Sequence, residues 1–177
     1  ELKHVYRQNN EKFIEILNEI RNNTLTQSSA DELNKRYLPD FVPSEDDGYI
    51  DLTTHNNKAE SANKTALDKL TTKAQTYTAI IEGKFPEYAY PNKEELILKV
   101  GAQVLFIKND SSYEKRYFNG KIGKIIFLDE DEVIVKCKGD DANIIVTPEI
   151  WENINYSVNP ETKEITENSI GSFKQIP

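Results

Sequence analysis

LILKVGAQVLFIKND, residues 96–110, and FNGKIGKI, residues 118–125, decide how the second half of this chain folds. Both are short runs of β-branched and aromatic residues, which fit a pleated, half-buried surface. Asn119-Gly120 lies between strand candidates, and Asn-Gly is a strong hairpin signal because both residues tolerate positive φ. Working outward, the same rhythm continues. Strands are predicted at residues 96–100, 103–108, 122–128, 132–136, 143–147 and 151–158, with a last one from 164 to 170. Turns fall at Asp129-Glu130-Asp131, Gly139-Asp140-Asp141 and Asn159-Pro160. So many short antiparallel strands within about 75 residues predict a small closed barrel.

Upstream the pattern is α/β. Residues 2–6 make a short strand candidate, after which Asn9 or Asn10 can cap a helix. Phe13, Ile14, Leu17 and Ile20 form one apolar stripe at helical spacing, and Asn22-Asn23 ends it. Ser29 with Glu32 has capping-box spacing and opens a second helix carrying Leu33 and Tyr37. Residues 39–47 read as a loop, and YIDLTT, residues 49–54, as a strand. Asn57 and Glu60 repeat the capping spacing before a helix with Ala59, Ala62, Ala66, Leu67 and Leu70 on one face, suited to close packing on a sheet. Residues 75–81 read as another strand, and Phe85-Pro86 with Tyr90-Pro91 as the inter-domain link.

The composition closes several routes. Among 177 residues, Lys plus Arg number 22 against 30 Asp plus Glu, a formal charge of −8, so a generally phosphate-seeking protein is excluded. Nine Tyr and seven Phe are too many aromatics for a disordered chain. No apolar run approaches the roughly 18–20 residues of a membrane span. The single Cys137 rules out an intrachain disulfide and a thiolate metal cluster, and at a strand end it reads as an inert core thiol. No methionine is present, the chain opens on ELKHVY and stops on an apolar-Pro end, and no signal peptide is visible; this reads as an internal piece of a longer cytoplasmic protein. Hydrolytic chemistry lacks its constellation. His4 and His55 are far apart in sequence, the acidic pairs Asp46-Asp47 and Asp140-Asp141 sit at turns, and no GxxxxGK phosphate loop occurs.

Three segments in this order carry a resemblance: Val5-Tyr6-Arg7-Gln8, then LTTHNNKAESAN at residues 52–63, then the barrel opening LKVGAQV with Asn109-Asp110 and Asn119-Gly120. The order resembles the PIF-like and RecD-like superfamily 1B DNA helicases over nearly the whole chain. The resemblance implies an α+β fold: part of the second RecA-like domain (residues 1–90), an inserted small antiparallel β-barrel of Src-homology type (residues 91–165), and a return strand (residues 166–177). It implies an ATP-driven parent, acting 5′ to 3′ with ATP and Mg, of which this stretch is an inactive piece. The phosphate-binding motifs would precede Glu1, and the second arginine motif would follow Pro177.

The resemblance also assigns residues. Arg7 would be the arginine finger reaching the γ-phosphate, with Gln8 supporting it; read from the residues alone, Arg7 is a surface cation paired with Glu11. Thr53, Thr54, His55 and Asn56 end a strand where a DNA backbone can be held without base readout; helix capping by Asn56 or Asn57 is the plainer role. Asn63 falls at the family's helix asparagine, a structural hydrogen-bonding position. Between residues 95 and 128 six cations face three carboxylates, a local +3, with Tyr113, Tyr117 and Phe118 interleaved. Cations for phosphates and rings for bases make a single-strand platform, so Lys108, Asn109, Lys115, Arg116, Tyr117, Asn119 and Lys121 are expected to contact single-stranded DNA. A solvated hairpin over core aromatics stays open. The partners implied are single-stranded DNA and the rest of the helicase chain, with no metal on this piece. The rival reading is a small-barrel protein-docking module without enzymatic activity.

Overall fold

The computed structural model describes residues 8–44, 47–130, 132–160 and 162–177. The strand expected at residues 2–6, and Arg7 with it, lie outside the described residues. The chain divides into two compact units, residues 1–44 and 45–177.

The first unit is helical. Asn10 caps α1 (Glu11–Arg21), its side chain accepting from the Phe13 N–H at 2.9 Å, and Asn22 with Asn23 ends it, Asn23 at φ 57°. The expected stripe is corrected: Ile16 is the buried residue of α1, while Phe13, Leu17 and Ile20 are 39–49% exposed. α2 (Gln27–Asn34) starts earlier than the Ser29 cap predicts. Thr26 is its cap, with its hydroxyl accepting from the Ser29 N–H, and Glu19 accepts in turn from the Thr26 N–H and hydroxyl. That backbone hydrogen bond holds the Glu19 carboxyl below its ordinary pKa.

The second unit opens with an exposed stretch. Residues 49–54 form no strand, because no neighbouring strand pairs with them; Leu52 is 90% exposed. α3 (Asn56–Lys69) fully buries none of its residues, with Ala59 and Leu67 half-buried, so its alanine face lacks the close packing expected, and its cap is His55 rather than Asn57. Among the described residues nine strands follow: β1 (Ala74–Thr78), β2 (Ile80–Gly83), β3 (Glu95–Lys99), β4 (Gln103–Leu105), β5 (Ile122–Leu128), β6 (Val133–Cys137), β7 (Ile144–Val146), β8 (Glu149–Val158) and β9 (Ile165–Gln175). The strand expected at 75–81 is split at Ala79, since β1 and β2 join different sheets.

Every ladder among the described residues is antiparallel, and the fold is α+β. The ladders do not join into one closed ring. They form three open sheets, β1-β3, β2-β9-β8 and β4-β5-β6-β7. One core gathers Leu98, Phe106, Tyr117, Ile125, Val133, Val135, Cys137, Ile144, Val146 and Ile176. Burial raises the Cys137 thiol pKa, which keeps it an inert apolar group. A second nest surrounds Phe173, fully buried, with the Tyr90, Phe85 and Trp151 rings at 4.9, 5.8 and 6.2 Å.

The sheet β2-β9-β8 depends on one close approach. Gly83 and Gly171 face each other across β2 and β9, and a Cβ on Gly171 would lie 2.5 Å from the backbone carbonyl of Lys84. Backbone yields poorly, so Gly171→Ala is expected to destabilise by about 1–3 kcal/mol. At about 2–4 °C per kcal/mol for a chain of this size, Tm should fall by several degrees. An unchanged thermal melt would mean that Lys84 does not lie against β9.

Candidate nucleic-acid interface

The loop from β4 to β5 carries most of the residues expected to touch DNA, and the chain builds it around two buried carboxylates. The base of the loop is pinned by the Phe106 N–H to the Lys121 carbonyl at 2.9 Å, the Gly120 N–H to the Phe106 carbonyl at 2.7 Å and the Asp110 N–H to the Tyr117 carbonyl at 3.1 Å. Asn109 adds a side-chain clamp, its Oδ1 accepting from the Asn119 N–H at 2.8 Å.

Asp110 is 2% exposed. Its Oδ1 accepts from the Ser112 N–H, and its Oδ2 from both the N–H and the Nε of Arg116, each at 2.9 Å. Burial alone would raise its pKa. The hydrogen bonds from Arg116 and Ser112 outweigh that and hold the carboxyl far below the usual range. Arg116 also donates to the Ile145 carbonyl at 2.9 Å, and its own pKa rises, chiefly through the hydrogen bond to Asp110. Glu149, 6% exposed, accepts from the Ser111 N–H at 3.0 Å, the Ser111 hydroxyl at 2.7 Å and the Tyr117 hydroxyl at 3.3 Å. Burial, then the charge of Glu149, drives the Tyr117 pKa upward.

The residues expected to touch DNA have these places in the folded loop. Lys108 donates to the Ile150 carbonyl and lies 3.8 Å from Glu149 and 4.9 Å from the Trp151 ring centre. Lys115, at φ 51°, folds its ammonium back on the Asp110 and Ser111 carbonyls. Lys121 donates to the Arg116 carbonyl at 3.0 Å and to Asp140 at 2.5 Å. The loop cations are thus directed onto the chain's own oxygens. Tyr117 is 2% exposed and stacks on Phe106 at 4.2 Å, which leaves its ring no face for a base. The rings that do reach solvent are Tyr113, fully exposed, and Phe118, 61% exposed.

The second group does come together at one surface point, the N-terminus of α3. The Thr53 hydroxyl donates to the His55 carbonyl at 2.9 Å, the Thr54 hydroxyl lies 2.8 Å from His55 Nδ1, and Asn56 opens the helix. Asn63 is exposed on the same helix. Gln8 accepts from the Asn10 N–H at 3.0 Å, a contact that steadies the α1 cap. Alternation along β6 buries Val133, Val135 and Cys137 and turns Ile134 and Lys136 the other way. Among the described residues no group of three or more His, Cys, Asp or Glu could hold a metal ion, and no helix is long and apolar enough to cross a membrane.

No family model matches the chain. It is 28% identical over 149 residues to the ATP-dependent DNA helicase Pif1 of Bdellovibrio bacteriovorus, covering 81% of this chain and 33% of that protein. It is 32% identical over 144 residues to the ATP-dependent DNA helicase PIF1 of Saccharomyces cerevisiae, covering 73% of this chain and 16% of that protein. Bacteroides Pif1 in complex with ADP-AlF4 superposes with a TM-score of 0.82 at 32% identity, covering 98% of this chain and 39% of that one. Bacteroides Pif1 bound to ssDNA superposes at 0.63, with 31% identity and coverage of 98% and 39%. The chain thus spans no more than about two fifths of any of these proteins. By sequence and by fold the chain is homologous over most of its length to one part of the Pif1 helicases.

Proposed function

We propose that the chain is a non-catalytic segment of a cytoplasmic, ATP-dependent 5′-to-3′ DNA helicase. In it, residues 1–90 belong to the second RecA-like domain, residues 91–165 to an inserted barrel of Src-homology type, and residues 166–177 to the return strand. The observation that carries the reading is the match, over nearly the whole chain, to the Bacteroides Pif1 that binds ADP-AlF4 and, in another structure, ssDNA. The pairing of Gly171–Lys174 with Ile80–Gly83 supports the return-strand part, because it brings the chain end back to the segment before the barrel.

The work of this segment is to complete sites whose other halves lie elsewhere in the helicase. Arg7 would stabilise the charge that develops on the γ-phosphate; a guanidinium suits this because its planar fork meets two phosphate oxygens at once. Gln8 would support it. Thr53, Thr54, His55 and Asn56 offer hydroxyls, an imidazole and an amide to a phosphodiester backbone, adding grip without sequence preference. ATP and Mg belong to the whole helicase: no phosphate loop occurs in this sequence, and the described residues offer no metal cluster. One observation favours the docking-module reading. Tyr113 stands fully exposed on a loop braced by two buried carboxylates, and rigid tyrosines make good protein anchors.

The test is steady-state phosphate release by this chain with saturating ATP and single-stranded DNA. No turnover above background is expected. A rate above about 1 per second, the low end for enzymes, overturns the non-catalytic reading.

A further inference from the structure

The core of the second unit is not closed. A cavity of about 140 Å³ lies inside it, and each of β3 to β7 lends it a side chain: Leu98, Val104, Ile125, Val133 and Val146, with Ile176 beyond β9 as a lid. Val133 and Val146 stand directly opposite each other on β6 and β7. Leu98, Ile125, Val133, Val146 and Ile176 are all buried.

Protein interiors leave few voids larger than a water molecule, because the lining of a void loses its dispersion contacts. Here both walls are held apart. On one side β4 to β7 are fixed by their ladders. On the other, Gln175, 3% exposed, donates from Nε2 to the Tyr77, Lys93 and Glu94 carbonyls at 3.0, 3.3 and 3.1 Å, which fixes the backbone that carries Ile176. Asn92 Nδ2 donates to the Ile176 carbonyl at 3.2 Å, and Asn92 Oδ1 accepts from the Lys93 N–H at 2.8 Å. Water gains little inside such a space, since it needs about two to four polar partners and the polar groups at the rim are already bonded to the chain. An apolar cavity of about 150 Å³ lined by Leu, Ile and Phe stays dry and takes up benzene or xenon. This one has nearly that size and a lining of the same kind.

We propose that this cavity is a binding site for a neutral, apolar molecule of benzene size, held by burial of its surface against Leu98, Val104, Ile125, Val133 and Val146 and closed in by Ile176. No lining residue is charged, so an ionised ligand would enter without a partner. The site uses none of the residues assigned above to ATP or DNA, so it stands or falls apart from the helicase reading.

Titration calorimetry of the whole chain with benzene, followed by thermal melts, tests it. Benzene at about ten times its measured Kd should raise Tm by about 3–6 °C. Benzoate, the same ring carrying a charge, should bind at least about tenfold more weakly. In methyl NMR spectra the benzene-induced shifts should fall on Leu98, Val104, Ile125, Val133 and Val146, and not on Leu17 or Ile20 of α1. Val146→Phe puts a ring where the ligand would lie and should weaken benzene binding at least about tenfold. Should that variant not fold, Val104→Ile, one methylene larger, should weaken binding severalfold with the fold kept. If benzene up to its solubility limit gives neither heat nor a rise in Tm, the cavity admits no such ligand and the proposal falls. Wild-type affinity in a folded Val146→Phe or in Val104→Ile, or methyl shifts confined to other residues, would put the ligand elsewhere and overturn it as well.

Discussion

Replacing Arg7 by Ala in a full-length helicase carrying this segment is expected to cut ATP turnover about a thousandfold or more, the scale of an arginine finger. Nucleotide affinity should fall much less. The guanidinium interacts most strongly when charge builds on the transferring phosphoryl group, so its loss appears in kcat rather than in binding. Arg7→Lys separates charge from shape. A lysine keeps the cation but lacks the bidentate fork, so it should recover only part of the rate. The measurements are single-turnover hydrolysis and equilibrium nucleotide binding on the same preparations. Near-normal turnover in Arg7→Ala would return Arg7 to a surface pair with Glu11.

What the sequence made legible was local. β5 runs over residues 122–128 as predicted, and β6 and β7 are displaced by only a residue or so, because alternation and turn chemistry lie within a few residues of each strand. Gly120 and Gly139 take φ of 96° and 88° at two of the expected turns. Non-local features misled. YIDLTT has the composition of a strand, but a strand needs a neighbour, and propensity cannot supply one. The stripe on α1 has the right period, yet Ile16 is the residue that finds cover. Residues 95–128 count as +3 in sequence, but several of the oxygens that hold the loop come from far away: Arg116 reaches Ile145, Lys121 reaches Asp140, and Ser111 reaches Glu149, 38 positions on. Local composition cannot reveal that a charge is already committed.

The second large effect concerns that commitment. Asp110→Ala leaves the N–H groups of Ser112 and Arg116, and the Arg116 Nε, without the acceptor they share. Removing one partner of a buried pair costs about 3–5 kcal/mol, and the lower end applies because the Arg116 side chain is 27% exposed and can recover some hydration. Tm should fall by roughly 6–12 °C at about 2–4 °C per kcal/mol. The pH dependence gives a separate check. Asp110 holds its proton less tightly when folded than when unfolded, so the unfolded chain takes up a proton first as pH falls. Its stabilisation is complete above the ordinary carboxyl pKa of about 3.9 and is lost progressively below that value. Asp110→Asn lacks this titration. The stability gap between wild type and Asp110→Asn should therefore be widest near neutral pH and narrow as acid is added below about pH 4. Denaturant melts at pH 7, 4 and 3 measure it, and a gap that stays constant would mean that Asp110 gains nothing from Arg116 in the folded chain. Tyr113 ties the result to function. If the two carboxylates exist to present that ring, Asp110→Asn should also loosen the loop at neutral pH, seen as faster amide exchange at Ser112 and Arg116, whose N–H groups it pins.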